Sequence, residues 1–318
     1  MHISTIRAEG LSCGEHQGLL CRDKVVARYN RGLCRATNVS TSCKACYDGP
    51  FTSGQRGSIM SGTSYPPEFV TNLEMQWGIG FLSPGGPEEV KEILRDIVVG
   101  GKTVLDIGCG TGGPDIVISR DLAPKRLVGI DIEPFLVETG RKNIAVAGLD
   151  KVAELILVEV GPLPFEDQSF DIVFSKDSLI HVEDKASLYR EVLRVLKPGG
   201  QFVASDWLRS ANADELAGYN EWQSLTSLSF SMQTTDETKV EMTVAGLEDV
   251  KTRDRTEWYA ETAAREVKMM ESGEWRSQFI AAFGEENYIK KLAVRIANAR
   301  AAECGGLMPT HLFGRRAK

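Results

Sequence analysis

Ten consecutive residues constrain the fold of this 318-residue chain more than any others: Val104-Leu105-Asp106-Ile107-Gly108-Cys109-Gly110-Thr111-Gly112-Gly113. A short apolar run ends in an acid, glycines follow at alternate positions, and Pro114 opens a helix-like segment. Without side chains at Gly108, Gly110 and Gly112, the backbone can turn tightly and a flat ligand can lie against it. Two ligand classes match this pattern. Gly108, Gly110 and Gly113 satisfy the G-x-G-x-x-G fingerprint of dinucleotide sites, with Asp131 at roughly the expected ~20-residue spacing for a ribose. Asp106 argues for the other class. A pyrophosphate seeks free helix N–H groups and is repelled by a carboxylate placed before the first glycine, whereas a ligand carrying an ammonium is attracted by it.

From Thr103 onward, strand and helix patterns alternate. Strands are predicted over Thr103–Asp106, Arg126–Asp131, Ala153–Glu159, Phe170–Ser175 and Gln201–Ser205, with helices over Pro114–Arg120, Pro134–Ala147 and Lys185–Leu196 between them. This rhythm specifies a doubly wound, mostly parallel sheet whose ligands bind beyond the strands' carboxyl ends. Upstream, Val90, Ile93, Leu94 and Ile97 fall at helical spacing behind Pro87. Residues 63–86, with Trp77, Phe81 and Leu82 among Gly and Pro, read as a loop packed over something apolar. The alternative is an N-terminal helix and turn against the core. After Asp206 the rhythm changes: 208–243 is helical and polar, Val250–Asp254 a strand, Thr256–Ser272 and Glu285–Glu303 helices. Thr310–Arg315, with no crossover before it, is expected as an antiparallel seventh strand.

Composition is that of a globular enzyme, and it conceals a seam. The net charge of −7 lacks the basic excess that a nucleic-acid surface requires. No apolar run reaches the ~18–20 residues of a membrane span, and no secretory h-region is visible, so a cytoplasmic location is expected. Residues 1–59 carry eight Lys and Arg against four acids, net +4, which leaves −11 for the remainder. Five of the seven cysteines (Cys13, Cys21, Cys34, Cys43, Cys46) lie there too. Cys43-x-x-Cys46 is half of a zinc pattern that no second pair completes, so no metal site is expected. Residues 1–62 therefore read as a disordered extension, with Met60 an alternative start.

Three acids close three successive strands: Asp106, Asp131 and Glu159. Side by side at one sheet edge they line one crevice, where Asp131 can accept both hydroxyls of a ribose and Glu159 an adenine amino group. Asp177, past the fourth strand, can hold an ammonium. Together with Gly161–Asp171 and Leu193–Gly200, this pattern resembles the class I S-adenosylmethionine-dependent methyltransferases. Phe81-Leu82-Ser83-Pro84-Gly85-Gly86, the Ser175–Val182 segment and Ser205-Asp206-Trp207 resemble, more narrowly, the phosphoethanolamine N-methyltransferases. The similarity spans residues 63–318, which implies a seven-stranded Rossmann-like methyltransferase domain with an N-terminal lid over 63–100 and a helical insertion over 208–243. It implies S-adenosylmethionine as cofactor, held by Asp106, Gly108, Gly110, Gly112, Asp131, Ile132, Glu159, Asp177 and Ser83.

Methyl transfer to an amine needs orientation and a proton acceptor. The family pairs the histidine of its Asp-x-x-x-His segment with a tyrosine from the N-terminal loop. Asp177 and His181 keep that spacing and Tyr65 occupies the tyrosine position, so the resemblance implies a Tyr65–His181 pair. One departure stands out. The family binds phosphate through an arginine in the helix after the fifth strand, and Tyr219 to Thr226 contains none. Arg295, Lys290 or Lys291 near the C-terminus could still meet an anion, but surface positions are expected of them. Trp77, Phe81, Trp207 and Trp222 are expected to line the acceptor site, where aromatic faces attract methylated cations by ~0.5–2 kcal/mol. The expected partner is a small polar methyl acceptor, an amine as in phosphoethanolamine or a thioether as in methionine, with no nucleic acid and no membrane. A nicotinamide-dependent oxidoreductase and a non-catalytic protein that senses the cofactor are the alternatives, and the oligomeric state is left open. Deleting residues 1–59 should leave the thermal unfolding transition and methyl transfer unchanged. A large loss of either would sink the reading of that segment as dispensable.

Overall fold

The computed structural model describes residues 65–318 apart from 227 and 229. The readings of residues 1–62, the Cys43–Cys46 pair included, lie outside the described residues. The chain enters through helix α1 (Pro67–Trp77) and continues with α2 (Gly86–Leu94), β1 (Thr103–Ile107), α3 (Gly113–Asp121), β2 (Arg126–Asp131), α4 (Pro134–Val146) and β3 (Ala153–Leu157). Next come β4 (Phe170–Lys176), α5 (Lys185–Val195), β5 (Leu196–Arg209), α6 (Ala217–Leu225), α7 (Thr235–Val244) and β6 (Glu248–Asp254). Helices α8 (Thr256–Glu271), α9 (Gly273–Phe283) and α10 (Glu285–Glu303) then lead into β7 (Leu307–Arg315).

The strands form one seven-stranded sheet in the order β3-β2-β1-β4-β5-β7-β6. Strands β1 to β5 pair in parallel, and β7 runs antiparallel to both β5 and β6. This is the Rossmann-like methyltransferase sheet. One core face packs Leu105, Val128, Val173 and Phe202 against α5, and the other packs Val104, Leu127, Ile172 and Val203 against α2 and α3. Consecutive residues of the central strands are buried to opposite sides, so their apolar runs are continuous. Among the described residues no helix is long and apolar enough to cross a membrane.

Three elements differ from the sequence expectation. Residues 67–77 are a helix rather than a loop: Pro67 opens it, Gly78 at φ 96° closes it, and Val70 and Leu73 bury one face. Strand β5 is 14 residues long because Gln201–Arg209 gains a full antiparallel partner in β7, and pairing with β4 carries it back through the Lys197–Gly200 turn signal. Helix α9 went unforeseen, although Trp275 and Phe279 at i, i+4 stack in a satellite core with Met270 and Tyr288.

Helix α1 is docked directly on the glycine loop. Glu74 at its last turn accepts from the Gly80 amide and the Thr111 hydroxyl, both at 2.9 Å, and the Gly80 carbonyl accepts from the Gly113 amide at 2.9 Å. A Cβ at Gly113 would lie 2.4 Å from the Gly80 oxygen, so only glycine permits this approach. Gly113→Ala should destabilise the domain by ~2 kcal/mol or more in a thermal or urea melt. Gly273→Ala, where nothing lies within 4 Å of the added methyl, should be neutral or slightly stabilising. Equal effects from the two would contradict a tight contact at Gly113.

Candidate active site

Two contiguous cavities open along the carboxyl ends of the parallel strands. They share a border made by Tyr65, Leu82, Ser83, Asp177 and His181. The narrower one is completed by Gly108, Asp131, Ile132, Glu133, Leu136, Lys176 and Ser178. The wider, of about 260 Å³, lies between α1, α6, α8 and α10.

Main-chain hydrogen bonds shape the narrow cavity. The amides of Gly108 and Cys109 both donate to the Ile130 carbonyl, at 2.8 and 3.0 Å, which folds the turn back over β2. Asp131 accepts from the Gly110 amide through Oδ2 at 2.9 Å and from the Glu133 amide through Oδ1 at 3.0 Å. Each carboxylate oxygen keeps acceptor capacity beyond one such bond. Burial raises the affinity of Asp131 for its proton, and burial together with Asp131 does the same for Glu133. A vicinal diol donating to these two acids would lower both, while Ile132 and Leu136 offer apolar walls to a flat base. The donor set thus fits a nucleoside carrying a cationic amino acid, with Asp177 available for its charge.

Asp106 is placed differently from the sequence expectation. It lies beneath the loop at 1% exposure, lines neither cavity, and faces Asp115 of α3. No other donor among the described residues reaches either carboxyl group. Burial, then Asp115 and Asp131, pushes Asp106 well above the ordinary range, and burial lifts Asp115 to about 7. Burial of the pair thus favours the protonated form of Asp106 beneath the loop. Glu159 is also away from the crevice: β3 ends at Leu157, and Glu159 is exposed two residues beyond it. The second acid of the narrow cavity is Glu133. Gly110 and Gly112 shape the loop without lining the cavity, whereas Gly108, Asp131, Ile132, Asp177 and Ser83 line it.

At the shared border, Tyr65 Oη lies 3.1 Å from His181 Nε2, with the rings edge-on. Burial, reinforced by Asp131 and Glu133, pushes the Tyr65 phenol up to about 12. The phenol therefore keeps its proton, and the imidazole tautomer sets which of the two groups donates in this bond. Asp177 is buried, and burial alone would raise its pKa. The Lys176 ammonium, 2.6 Å from Oδ2, outweighs this and holds the group below its usual range. Lys176 also donates to Ser83 Oγ at 2.6 Å and to the Pro84 carbonyl at 2.9 Å, which ties the Phe81–Gly86 loop to the end of β4.

Trp77, Trp207 and Trp222 line the wide cavity with Phe69, Phe230 and Tyr259. Phe81 does not; it is buried in the core against Gly113. Lys291 and Arg295 line the cavity as well, contrary to the surface positions expected of them, whereas Lys290 is exposed and pairs with Glu286. Arg295 stacks over Trp77 with its guanidinium carbon 5.1 Å from the ring centroid. Its Nη1 donates to Glu266 at 3.1 Å, Tyr259 Oη at 2.8 Å and Asn298 Oδ1 at 3.0 Å. Its Nε and Nη2 make no hydrogen bond to the described residues. Lys291 donates to Asn72 Oδ1, and burial, with Arg295 adding repulsion, lowers it to about 7. Their spacing at i, i+4 on an amphipathic helix was the available signal; what covers that helix was not visible in the sequence.

A family model described as a methyltransferase domain matches residues 99–265, which is more than half of the chain. The chain belongs to the methyltransferase-domain family. Fold and family make it a class I, S-adenosylmethionine-dependent methyltransferase, and the dinucleotide alternative is set aside. Among curated relatives it is 31% identical over 234 residues to a phosphoethanolamine N-methyltransferase of Triticum aestivum, covering 72% of this chain and 44% of that protein. It is 30% identical over 231 residues to 24-methylenesterol C-methyltransferase 2 of Arabidopsis thaliana, covering 66% and 63%. The methyltransferase thus spans less than half the length of the wheat relative. Of solved structures, phosphoethanolamine N-methyltransferase 2 of Haemonchus contortus, in complex with phosphomonomethylethanolamine and S-adenosylhomocysteine, superimposes with a TM-score of 0.69 at 19% identity. That match covers 80% of this chain and 59% of that one.

The buried acids give stability a defined pH dependence. Asp115 and Asp206 have folded pKa values near 7, above the ordinary carboxyl value of 3.8. Between those limits the folded state binds more protons than the unfolded chain, so their contribution is complete below about 4 and is lost as pH rises through about 7. Asp115→Asn should flatten the decline in melting temperature between about pH 5 and 8. An unaltered slope would contradict the raised pKa of Asp115.

Proposed function

We propose that this methyltransferase alkylates the amine nitrogen of a small metabolite whose other end is anionic, as in phosphoethanolamine. The observation that carries the reading is the division of the wide cavity. Tyr65, Asp177 and His181 stand at its border with the cofactor cavity, while Lys291 and Arg295 line the wide cavity alone. Arg295 has Nε and Nη2 to offer an anion, and a planar fork suits bidentate binding of phosphate or carboxylate. An anion arriving there also favours the charged form of Lys291. The arginine that the family carries after the fifth strand is thereby replaced from α10. The similarity to phosphoethanolamine N-methyltransferases supports the same acceptor class.

When bound, S-adenosylmethionine supplies a sulfonium methyl group open to in-line displacement. The chain's own residues prepare the nucleophile. Asp177, ionised at the border, attracts the acceptor's ammonium. Tyr65 Oη takes a proton from that ammonium as it passes its own proton to His181 Nε2, leaving a neutral amine with a free lone pair and an imidazolium. The aromatic walls of Trp77, Trp207 and Trp222 attract the methylated cation that forms. They suit a sulfonium product equally, so methionine S-methylation is the second reading; a thioether has no proton to lose and leaves the Tyr65–His181 relay idle.

Labelled S-adenosylmethionine offered with phosphoethanolamine, methionine, glycine and sarcosine in separate assays should label the phosphoethanolamine product. His181→Asn should lower kcat for that acceptor by ~10²–10⁴. Arg295→Lys, which keeps a charge for Glu266 but loses the fork, should raise KM for the acceptor about 10-fold, the weight of one charge-assisted contact. Product from methionine alone, with His181→Asn nearly as active as the parent, would replace the first reading with the second.

A further inference from the structure

The segment that carries His181 is a single 3-10 turn, Leu179–His181, and a turn this short does not fix an imidazole by itself. Beneath it lie two buried charged side chains for which the methyl-transfer reading has no use. Asp206 of β5, 1% exposed, accepts from the Ile180 amide through Oδ1 at 2.8 Å. Lys185, 2% exposed in the first turn of α5, donates from Nζ to the carbonyls of Leu179 at 2.7 Å and Val182 at 2.9 Å. The Ile180 carbonyl accepts from the Ser231 amide at 2.8 Å, and the amides of His181 and Val182 donate to the carbonyls of Ser178 and Leu179. The main chain around His181 is thus gripped from below by one carboxyl group and one amino group. Asp206 Oδ2 has no hydrogen-bond partner among the described residues. A buried carboxyl group making so few bonds is costly to a core, and an apolar side chain would fill the place more stably.

We propose that Asp206 is a positioning residue for His181: by holding the Ile180 amide it sets the turn that presents the imidazole to Tyr65, and Lys185 completes the clamp. Asp206 lines neither cavity, so it acts through His181 and not on the acceptor. The inference rests on the reading of His181 as the end of the proton relay.

A double-mutant cycle tests it with phosphoethanolamine as acceptor. Asp206→Ala should lower kcat by at least about 10-fold while the Kd for S-adenosylhomocysteine changes less than about twofold. In the His181→Asn background the same substitution should change kcat by less than about twofold, the mark of two residues that act as one unit. Asp206→Asn, whose amide oxygen still accepts from Ile180, should recover most of the loss. Should Asp206→Ala fail to fold, Lys185→Met enters the same cycle with the same expectation. Equal losses of kcat in both backgrounds, or an unchanged kcat in the single variant, would overturn the inference and leave the relay standing. Full activity of His181→Asn would overturn the relay, and the inference with it.

Discussion

The site depends on one buried ammonium. Lys176 ends β4 and donates to Asp177, to Ser83 and to the Pro84 carbonyl. A buried cation needs a counterion and acceptors for its remaining protons, and two of its partners, Asp177 and Ser83, also form the border between the two cavities. The ion pair keeps Asp177 charged where burial would otherwise neutralise it. Asp177 itself sits at φ 57°, an unusual conformation for a residue other than glycine. Its amide donates to the Ser205 carbonyl at 2.7 Å, and its Oδ1 accepts from Ser205 Oγ at 2.7 Å, so strained backbone and buried charge are held together. Without the ammonium, the loop from α1 to α2, the border and the charge would lose a common support.

The glycine loop rests on a contrasting arrangement. Under it lie two acids whose burial favours their protonated forms, and above it Asp131 collects backbone amides. Charge is therefore withheld from the floor and concentrated on the wall. The loop takes its shape from the amide bonds to Ile130 and Asp131 and from the close approach of Gly80 to Gly113, while Glu74 ties it to α1.

Much of this was legible in the sequence, for physical reasons. Parallel strands buried on both faces, such as Leu127–Ile130 and Ile172–Phe174, announce themselves as apolar runs, and the acids at their ends mark the ligand edge. The spacing from Asp177 to His181 is local, so the resemblance carried it. Side-chain direction was not legible. Asp106 and Asp131 both close strands, yet one points into the core and the other into the crevice; Phe81 and Trp77, four residues apart, divide between core and cavity. Long-range partners were equally hidden. Glu266 accepts from Gln76 and Trp77 of α1 and from Arg295 of α10, and no local pattern joins those segments.

The reversed direction of β7 also decides which chemistry can reach the crevice. Because Leu307 pairs with Arg209 and Arg315 with Gln201, the chain enters β7 at the edge where β5 leaves. Helix α10, which feeds that strand, is delivered to the ligand side; a parallel last strand would have delivered it to the far side. Arg295 and Lys291 lie outside the span of the family model, which ends at residue 265. The wide cavity therefore draws two cationic side chains from beyond that span and aromatic walls, Trp207, Trp222 and Tyr259, from within it, so the terminal helix can alter the charge of the cavity while its aromatic lining and the glycine-loop edge of the sheet stay as they are.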